Sequence, residues 1–114
     1  MSEKFRVQWA PIAIQDLDGI IDYIATRHSL DAAMHIYERI IARVDSLMAH
    51  PHRGRIVPEL KDFGIMEYRE LTAAPYRVLY RITGQVVSIL GVLDGRRDLE
   101  EMLVNRALEM DVPE

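Results

Sequence analysis

Four arginines, two on one predicted strand and two just after the next strand, are the residues best suited to chemistry. Arg77 and Arg81 are four residues apart in a segment that alternates polar and apolar side chains, so both point to one face of a strand. Arg96 and Arg97 follow the next strand, and a hairpin between the two strands would bring them close to Arg77. Guanidinium groups clustered in this way bind phosphate or carboxylate groups through paired hydrogen bonds. The alternative is that these arginines form ion pairs with Glu67, Glu70, Asp94 or Asp98.

Tyr68 and Glu70 lie on the preceding predicted strand at positions of the same parity, whereas Arg69 between them points to the opposite side. A glutamate close to several arginines could act as a general base in RNA cleavage. It could also serve only as an ion-pair partner. The residues themselves leave both roles open.

Other kinds of active site are not indicated by the sequence. The chain has no Cys, no glycine-rich phosphate loop and no Gly-x-Ser-x-Gly motif. His50 and His52 are spaced for zinc, but no third ligand follows nearby. We therefore expect neither a metal nor a cofactor.

The composition predicts one folded domain spanning residues 1–114. The chain is 49% hydrophobic with a formal net charge of −4, which excludes disorder. No apolar window is long enough to span a membrane, and no export signal is evident, so we expect a cytoplasmic protein. The charge is uneven: residues 52–97 hold 8 basic and 5 acidic side chains, whereas residues 98–114 hold 1 basic and 6 acidic ones.

The first half of the chain predicts a strand followed by two helices. Residues 4–9 alternate polar and apolar side chains, as a half-buried strand does. Apolar residues then recur at helical spacing over residues 11–27. Ser29 can cap a second helix, which must end at or before His50 because Pro51 follows. The short break between the helices predicts an antiparallel helical hairpin.

The second half predicts a loop, three strands and a last helix. These elements are the loop 50–64, the strands 65–72, 76–82 and 86–93, and a helix capped by Asp98 that runs through Met110. The order β-α-α-β-β-β-α indicates an α+β fold with a helical hairpin packed on one face of a small antiparallel sheet. The other face, which carries Arg77 and Arg81, should be at least partly wet.

Short motifs in a fixed order resemble those of the RelE/ParE toxin family, which includes plasmid stabilisation proteins. The motifs cover nearly the whole chain. They include Trp9-Ala10-Pro11, Tyr23-Ile24, His50-Pro51, Gly54-Arg55, Tyr68-Arg69-Glu70-Leu71, Tyr76-Arg77-Val78-Leu79-Tyr80-Arg81-Ile82 and Val92-Leu93-Asp94-Gly95-Arg96-Arg97-Asp98-Leu99. The resemblance implies a helical hairpin against a four-stranded sheet in which the first strand pairs with the others.

The resemblance also implies a toxin of a type II toxin–antitoxin system, which arrests growth when free of its antitoxin. Its usual partner is a small antitoxin protein, with which it forms a hetero-oligomer. ParE-like members of the family poison DNA gyrase and are not nucleases. RelE-like members cut mRNA on the ribosome, where a basic cluster and an acid/base residue direct a ribose 2′-hydroxyl onto its own phosphate.

Matched residue by residue, Arg77 falls on the phosphate-contacting arginine of RelE-like members. Arg96 or Arg97 falls on a second arginine of that site. An mRNA endoribonuclease would then use these arginines to bind the scissile phosphate, and Glu70 or Tyr68 in proton transfer.

Other positions depart from the RelE-like pattern. Two lysines of RelE-like members fall at Tyr68 and Glu70, so two positive charges are missing here. The tyrosine on their last helix falls near Met102 or Leu103, and neither side chain can transfer a proton. The resemblance therefore favours a ParE-like action on DNA gyrase, with ribosome-dependent mRNA cleavage as the alternative.

Overall fold

The computed structural model of the protein describes residues 4–95 and shows a helical hairpin packed on one face of a five-stranded sheet. The predicted α+β fold is confirmed. The elements are β1 (Arg6–Trp9), α1 (Pro11–Arg27), α2 (Leu30–Asp45), β2 (Arg55–Ile56), α3 (Pro58–Lys61), β3 (Tyr68–Ala73), β4 (Tyr76–Thr83) and β5 (Val86–Asp94). The predicted helix from Asp98 to Met110 lies outside the described residues. Within residues 4–95, no helix is long and apolar enough to cross a membrane.

The two long helices form where apolar periodicity and end signals agree. α1 begins with Pro11, whose missing N–H costs nothing in a first helical turn. Ser29 caps α2 as predicted, because its side chain accepts a hydrogen bond of 3.0 Å from the backbone N–H of Ala32. α2 ends at Asp45, and the chain continues as a turn of 3₁₀ helix over Ser46–Met48.

The sheet has the strand order β1-β5-β4-β3-β2, and it is mixed rather than antiparallel. β1 pairs in parallel with β5, with Arg6 opposite Val86 and Trp9 opposite Ile89, whereas the other pairs are antiparallel. The prediction of a purely antiparallel sheet is therefore wrong in this strand. The alternating side chains of residues 4–9 predict a strand but do not specify the direction in which it pairs.

The segment predicted as a loop, residues 50–64, contains the short elements β2 and α3. β2 pairs with β3, so the sheet has five strands instead of the four that the family resemblance implied. Gly54 permits this approach, because a Cβ atom there would lie 2.5 Å from both the carbonyl oxygen of Glu70 and the hydroxyl of Tyr80. That buried hydroxyl donates to the carbonyl of Pro51 at 2.8 Å and accepts from the N–H of Gly54 at 2.9 Å.

Apolar side chains are buried on both faces of the sheet. The main core lies between the sheet and the two long helices, and its buried members include Ala13, Leu17, Ile40, Val44, Leu47, Leu71, Val78, Tyr80, Val87, Ile89 and Val92. A smaller cluster on the opposite face joins Val57, Leu79 and Leu93, with Leu60 of α3 packed against it. The face predicted to be partly wet is thus partly covered by α3.

Candidate functional site

Arg77 lies near the start of β4, on the sheet face that α3 covers, opposite Thr72 of β3 and Leu93 of β5. Its guanidinium donates two parallel hydrogen bonds of 3.0 Å to the two carboxylate oxygens of Glu59. Its Nε atom donates to Glu70 Oε1 at 2.9 Å, and a terminal nitrogen bonds the same oxygen. Two carboxylates therefore hold this guanidinium.

Glu70 is the buried centre of this arrangement. Its side chain is 1% exposed, and the carboxylate joins arginines on both neighbouring strands. Oε1 accepts from Arg77, whereas Oε2 accepts a hydrogen bond of 2.7 Å from the Nε of Arg55 on β2. The strand register explains this, because Glu70 lies directly opposite Arg55. We call Arg55, Glu59, Glu70 and Arg77 the Arg77 cluster.

Formal charges in the Arg77 cluster balance, with two cations and two anions. The hydrogen bond from Arg77 lowers the pKa of Glu59 below its usual value, outweighing the opposing effect of burial. Burial alone would lower the pKa of Arg77, but the hydrogen bonds to Glu59 and Glu70 raise it instead. Glu59 and Arg77 are therefore both charged at neutral pH. For Arg77, the structure therefore shows the pairing with Glu70 that the sequence left open.

Tyr68 and Arg81 form a separate pair on the same face of the sheet. The two residues are directly opposite each other on β3 and β4. The guanidinium carbon of Arg81 lies 5.8 Å from the centre of the Tyr68 ring, within the range of a cation–π contact. Arg81 is exposed, and Tyr68 is half-buried against the cluster of Val57, Leu79 and Leu93. Tyr68 is therefore positioned by packing, two residues away from Glu70 along β3.

Arg96 and Arg97 lie outside the described residues, so their predicted proximity to Arg77 stays a prediction. Gly95, the last described residue, lies beside the Arg77 side chain. A Cβ atom added to Gly95 would be 3.3 Å from Cδ of Arg77. The N–H of Gly95 also donates to the carbonyl of Pro75 at 2.8 Å, which fixes the chain at this point.

A shallow groove of about 340 Å³ borders the Arg77 cluster at the turn between β3 and β4. Its lining residues include Arg55, Glu70, Thr72, Pro75, Arg77 and Gly95. The Arg55 side chain is 68% exposed, so this guanidinium faces solvent apart from its bond to Glu70. The groove can therefore bind a small anionic group at Arg55. Arg77 has few free donors for such a group, because its guanidinium already donates to Glu59 and Glu70.

Sequence reasoning missed Glu59 and the role of Arg55. Glu59 lies 18 positions before Arg77 in the segment that reads as a loop, so its place above the sheet depends on α3. Arg55 appeared only as part of a family motif. The dipeptide Pro58-Glu59 is a common start of a short helix and was the one local signal for α3.

The described residues contain no group of three or more His, Asp or Glu side chains that could hold a metal ion. His52 lies in a surface turn and His50 directly precedes that turn. Both side chains are exposed.

Residues 7–99 match the model of the family described as the ParE toxin of a type II toxin–antitoxin system, parDE. Toxin ParE1 of Mycobacterium tuberculosis is 28% identical over 104 residues, which cover 90% of this chain and 100% of that protein. Toxin ParE3 of Caulobacter vibrioides is 33% identical over 88 residues, which cover 77% of this chain and 84% of that protein.

Solved structures of toxin–antitoxin systems share the fold. A chain of the chromosomal ParDE system from P. aeruginosa superposes with a TM-score of 0.66 at 24% identity, covering 80% of this chain and 96% of that one. A chain of the RelBE2 toxin–antitoxin complex from Mycobacterium tuberculosis gives a TM-score of 0.53 at 23% identity, covering 82% and 94%. The family match spans most of the sequence and the fold agrees with it, so this chain belongs to the ParE toxin family of type II toxin–antitoxin systems.

Proposed function

We propose that this ParE-family toxin arrests growth by binding and poisoning DNA gyrase, and that it does not cut mRNA. The proposal extends the family membership to a target. It is supported by the relatives, which are named ParE toxins. It is also supported by the ion pairs of Arg77 and Glu70, two residues that a RelE-like nuclease would need.

The observation that carries the proposal is the pairing of Arg77 with two carboxylates. A guanidinium has five N–H donors, and the structure gives four hydrogen bonds from Arg77 to Glu59 and Glu70. The Arg77 side chain is also only 14% exposed. An RNA phosphate would have to displace Glu59 and approach Glu70, so electrostatic repulsion opposes its binding.

Glu70 is equally unsuited to proton transfer. A general base must have a free oxygen within hydrogen-bond reach of the proton that it removes. Both oxygens of Glu70 accept hydrogen bonds from arginines, and its side chain is 1% exposed. Tyr68 contacts Arg81 but lies outside the groove beside Arg77. Within residues 4–95, therefore, Glu70 is not free to act as a base and Arg77 is not free to bind a phosphate.

We also propose that an antitoxin protein is the partner that holds this toxin inactive. Two fold neighbours come from the chromosomal ParDE system of P. aeruginosa and from the RelBE2 toxin–antitoxin complex. A partner of this kind would be encoded beside the toxin, as a short reading frame.

The test measures gyrase poisoning and mRNA cleavage separately, with the same preparation of toxin. We expect purified toxin to stabilise gyrase-linked double-strand breaks in plasmid DNA, and to leave mRNA intact in a translating extract. Addition of the antitoxin should abolish the gyrase effect, which controls for contaminating nucleases. Cleavage of mRNA at codon-spaced positions, with no effect on gyrase, would reject the proposal in favour of the RelE-like alternative.

A further inference from the structure

Basic side chains gather at the end of the sheet where β1 and β3 begin and β4 ends. The segment from Met48 to Gly54 crosses this end of the molecule. The N–H of Phe5, just before β1, donates to the carbonyl of Met48 at 2.8 Å, and Arg69 of β3 donates to the carbonyl of Gly54 at 2.7 Å. We call this part of the surface the basic end, and its basic residues are Lys4, Arg6, His50, His52, Arg53 and Arg69.

A groove of about 690 Å³ follows the crossing segment at the basic end. It is lined by Ala49, His50, Pro51, His52 and Arg53, and the two imidazoles and the guanidinium are exposed. Imidazole and guanidinium N–H groups donate hydrogen bonds, and the guanidinium also carries a fixed positive charge. The groove is open to solvent, so it suits one part of a long anionic ligand better than an enclosed small molecule.

Buried contacts hold the groove in shape. The hydroxyl of Tyr80 donates to the carbonyl of Pro51 at 2.8 Å and accepts from the N–H of Gly54 at 2.9 Å. Burial raises the pKa of Tyr80, whereas the charges of Arg69 and Arg53 lower it, so both guanidinium groups lie near this buried hydroxyl. A ligand therefore meets a backbone that needs little ordering on binding.

The cations of the basic end lack the carboxylate partners that neutralise Arg77. In the part of the chain that the structure describes, no ion pair is formed by Lys4, Arg6, Arg53 or Arg69. The acidic neighbours along the chain are Asp45, at the end of α2, and Glu67, just before β3. The net charge of the whole chain is −4, but salt screens charges beyond roughly 8 Å, so a local cluster of cations still attracts an anion.

The basic end is wide enough to meet several phosphates of one ligand. Arg6 lies on β1 and Arg69 on β3, with β5 and β4 between them. Three strand spacings of roughly 4.8 Å separate these strands, which gives a width of at least roughly 14 Å. Duplex DNA carries one phosphate charge per roughly 1.7 Å of its axis, so several phosphates fall within this width.

The aromatic rings of the basic end are packed against apolar side chains. Tyr80 is 0% exposed, Phe5 packs against the main core, and Tyr68 packs against the smaller cluster on the opposite face of the sheet. Proteins that bind single-stranded nucleic acids stack the bases on accessible aromatic rings. The packing of these three rings therefore favours a contact with the backbone of a duplex.

We infer that the basic end binds the phosphate backbone of duplex DNA. One phosphate lies in the groove, where Arg53 and His52 donate hydrogen bonds to its oxygens, and neighbouring phosphates face Lys4 and Arg6. The choice of DNA rests on the proposed function, because gyrase holds duplex DNA, whereas the surface and its chemistry go beyond that proposal. Such contacts read no bases, so binding should be independent of sequence and sensitive to salt.

The test titrates full-length toxin into a fluorescein-labelled DNA duplex and follows fluorescence anisotropy at several NaCl concentrations. We expect a Kd in the micromolar range at low salt, and a slope of log K against log salt of about −3 for three to four phosphate contacts. Arg53→Gln and Arg6→Gln should each weaken binding several-fold and make this slope less negative by about one. Arg27→Gln is the matched control, because it removes the same charge from an exposed arginine in the last turn of α1, and it should bind like the parent protein.

Three results would overturn the inference, provided that circular dichroism shows every variant to be folded. The first is no binding to the duplex at low salt, or equal weakening by Arg27→Gln and Arg53→Gln. The second is tighter binding to an RNA duplex or to a single strand of the same sequence, which would make duplex DNA the wrong ligand. The third is displacement of the duplex by millimolar inorganic phosphate at constant ionic strength, which would indicate a small-anion site.

The DNA-binding measurement and the gyrase measurement fail independently of each other. Gyrase-linked breaks without binding to free duplex would reject the basic end and leave gyrase as the target. Binding to the duplex that Arg53→Gln weakens, without any gyrase-linked breaks, would support the basic end and reject gyrase as the target.

Discussion

The buried carboxylate of Glu70 allows a structural role to be separated from a catalytic one. In Glu70→Gln the side chain keeps its shape, but its amide nitrogen cannot accept a hydrogen bond, so one of the two arginines loses its partner. Arg55 is 68% exposed and can be hydrated, whereas Arg77 is 14% exposed and would keep only Glu59 as an anion. The loss of a charge-assisted hydrogen bond costs about 2 kcal/mol, and incomplete neutralisation of Arg77 adds to this cost.

We therefore expect Glu70→Gln to lower the free energy of unfolding by about 2–3 kcal/mol and the Tm by about 10 °C. Glu59→Gln should lose no more than about 1 kcal/mol, because Glu59 is 33% exposed and water screens its ion pair. Glu67→Gln, an exposed substitution of the same type in the segment before β3, is the control and should change stability by less than about 0.5 kcal/mol.

The measurement is urea denaturation followed by circular dichroism, with growth arrest assayed in parallel at a temperature where every variant is folded. A structural Glu70 predicts a destabilised protein that still arrests growth. A Glu70→Gln variant with the stability of the parent protein and no toxicity would refute this reasoning, because it would show that the carboxylate acts in chemistry.

Two further predictions concern Gly54 and Glu59. Gly54→Ala should lower the free energy of unfolding by about 3 kcal/mol or more, because its Cβ would lie 2.5 Å from a strand carbonyl and from a tyrosine hydroxyl. Gly19→Ala is the control and should be tolerated, because a Cβ atom at Gly19 would have nothing within 4 Å. Urea denaturation of both variants measures the difference. Because Arg77 lowers the pKa of Glu59 below 4.5, the stability that the ionised Glu59 carboxylate contributes is complete above that pH and is lost as the pH falls through the lowered value. The difference in Tm between the parent protein and Glu59→Gln should therefore shrink on acidification, and a constant difference would contradict the ion pair.

The sequence predicted those parts of the fold that have a strong local pattern. Both long helices repeat apolar residues at helical spacing and begin at a recognisable Pro11 or Ser29, so their starts are found within a residue. β4 and β5 also have clear strand patterns. β2, by contrast, is two residues long and cannot display an alternation, and the alternation in β1 does not specify the direction in which that strand pairs.

The candidate site was predicted in part for the same reason. Arg77 and Glu70 lie on recognisable strands, and their pairing was among the alternatives that the sequence left open. Glu59 reaches Arg77 only because α3 crosses the sheet, and no periodicity in its four residues predicts that crossing. The sequence pattern therefore did not show that Glu59 binds Arg77. This ion pair decides whether Arg77 can bind a phosphate.

The pairing of β1 with β5 has a consequence for biosynthesis. Trp9 lies opposite Ile89, so the backbone groups of β1 cannot form their sheet hydrogen bonds until β5 has been synthesised. The helical hairpin can form early from local contacts, but the sheet cannot be completed until β5 has been synthesised. Translation products that stop before β5 should therefore lack the completed sheet, so they should not be toxic.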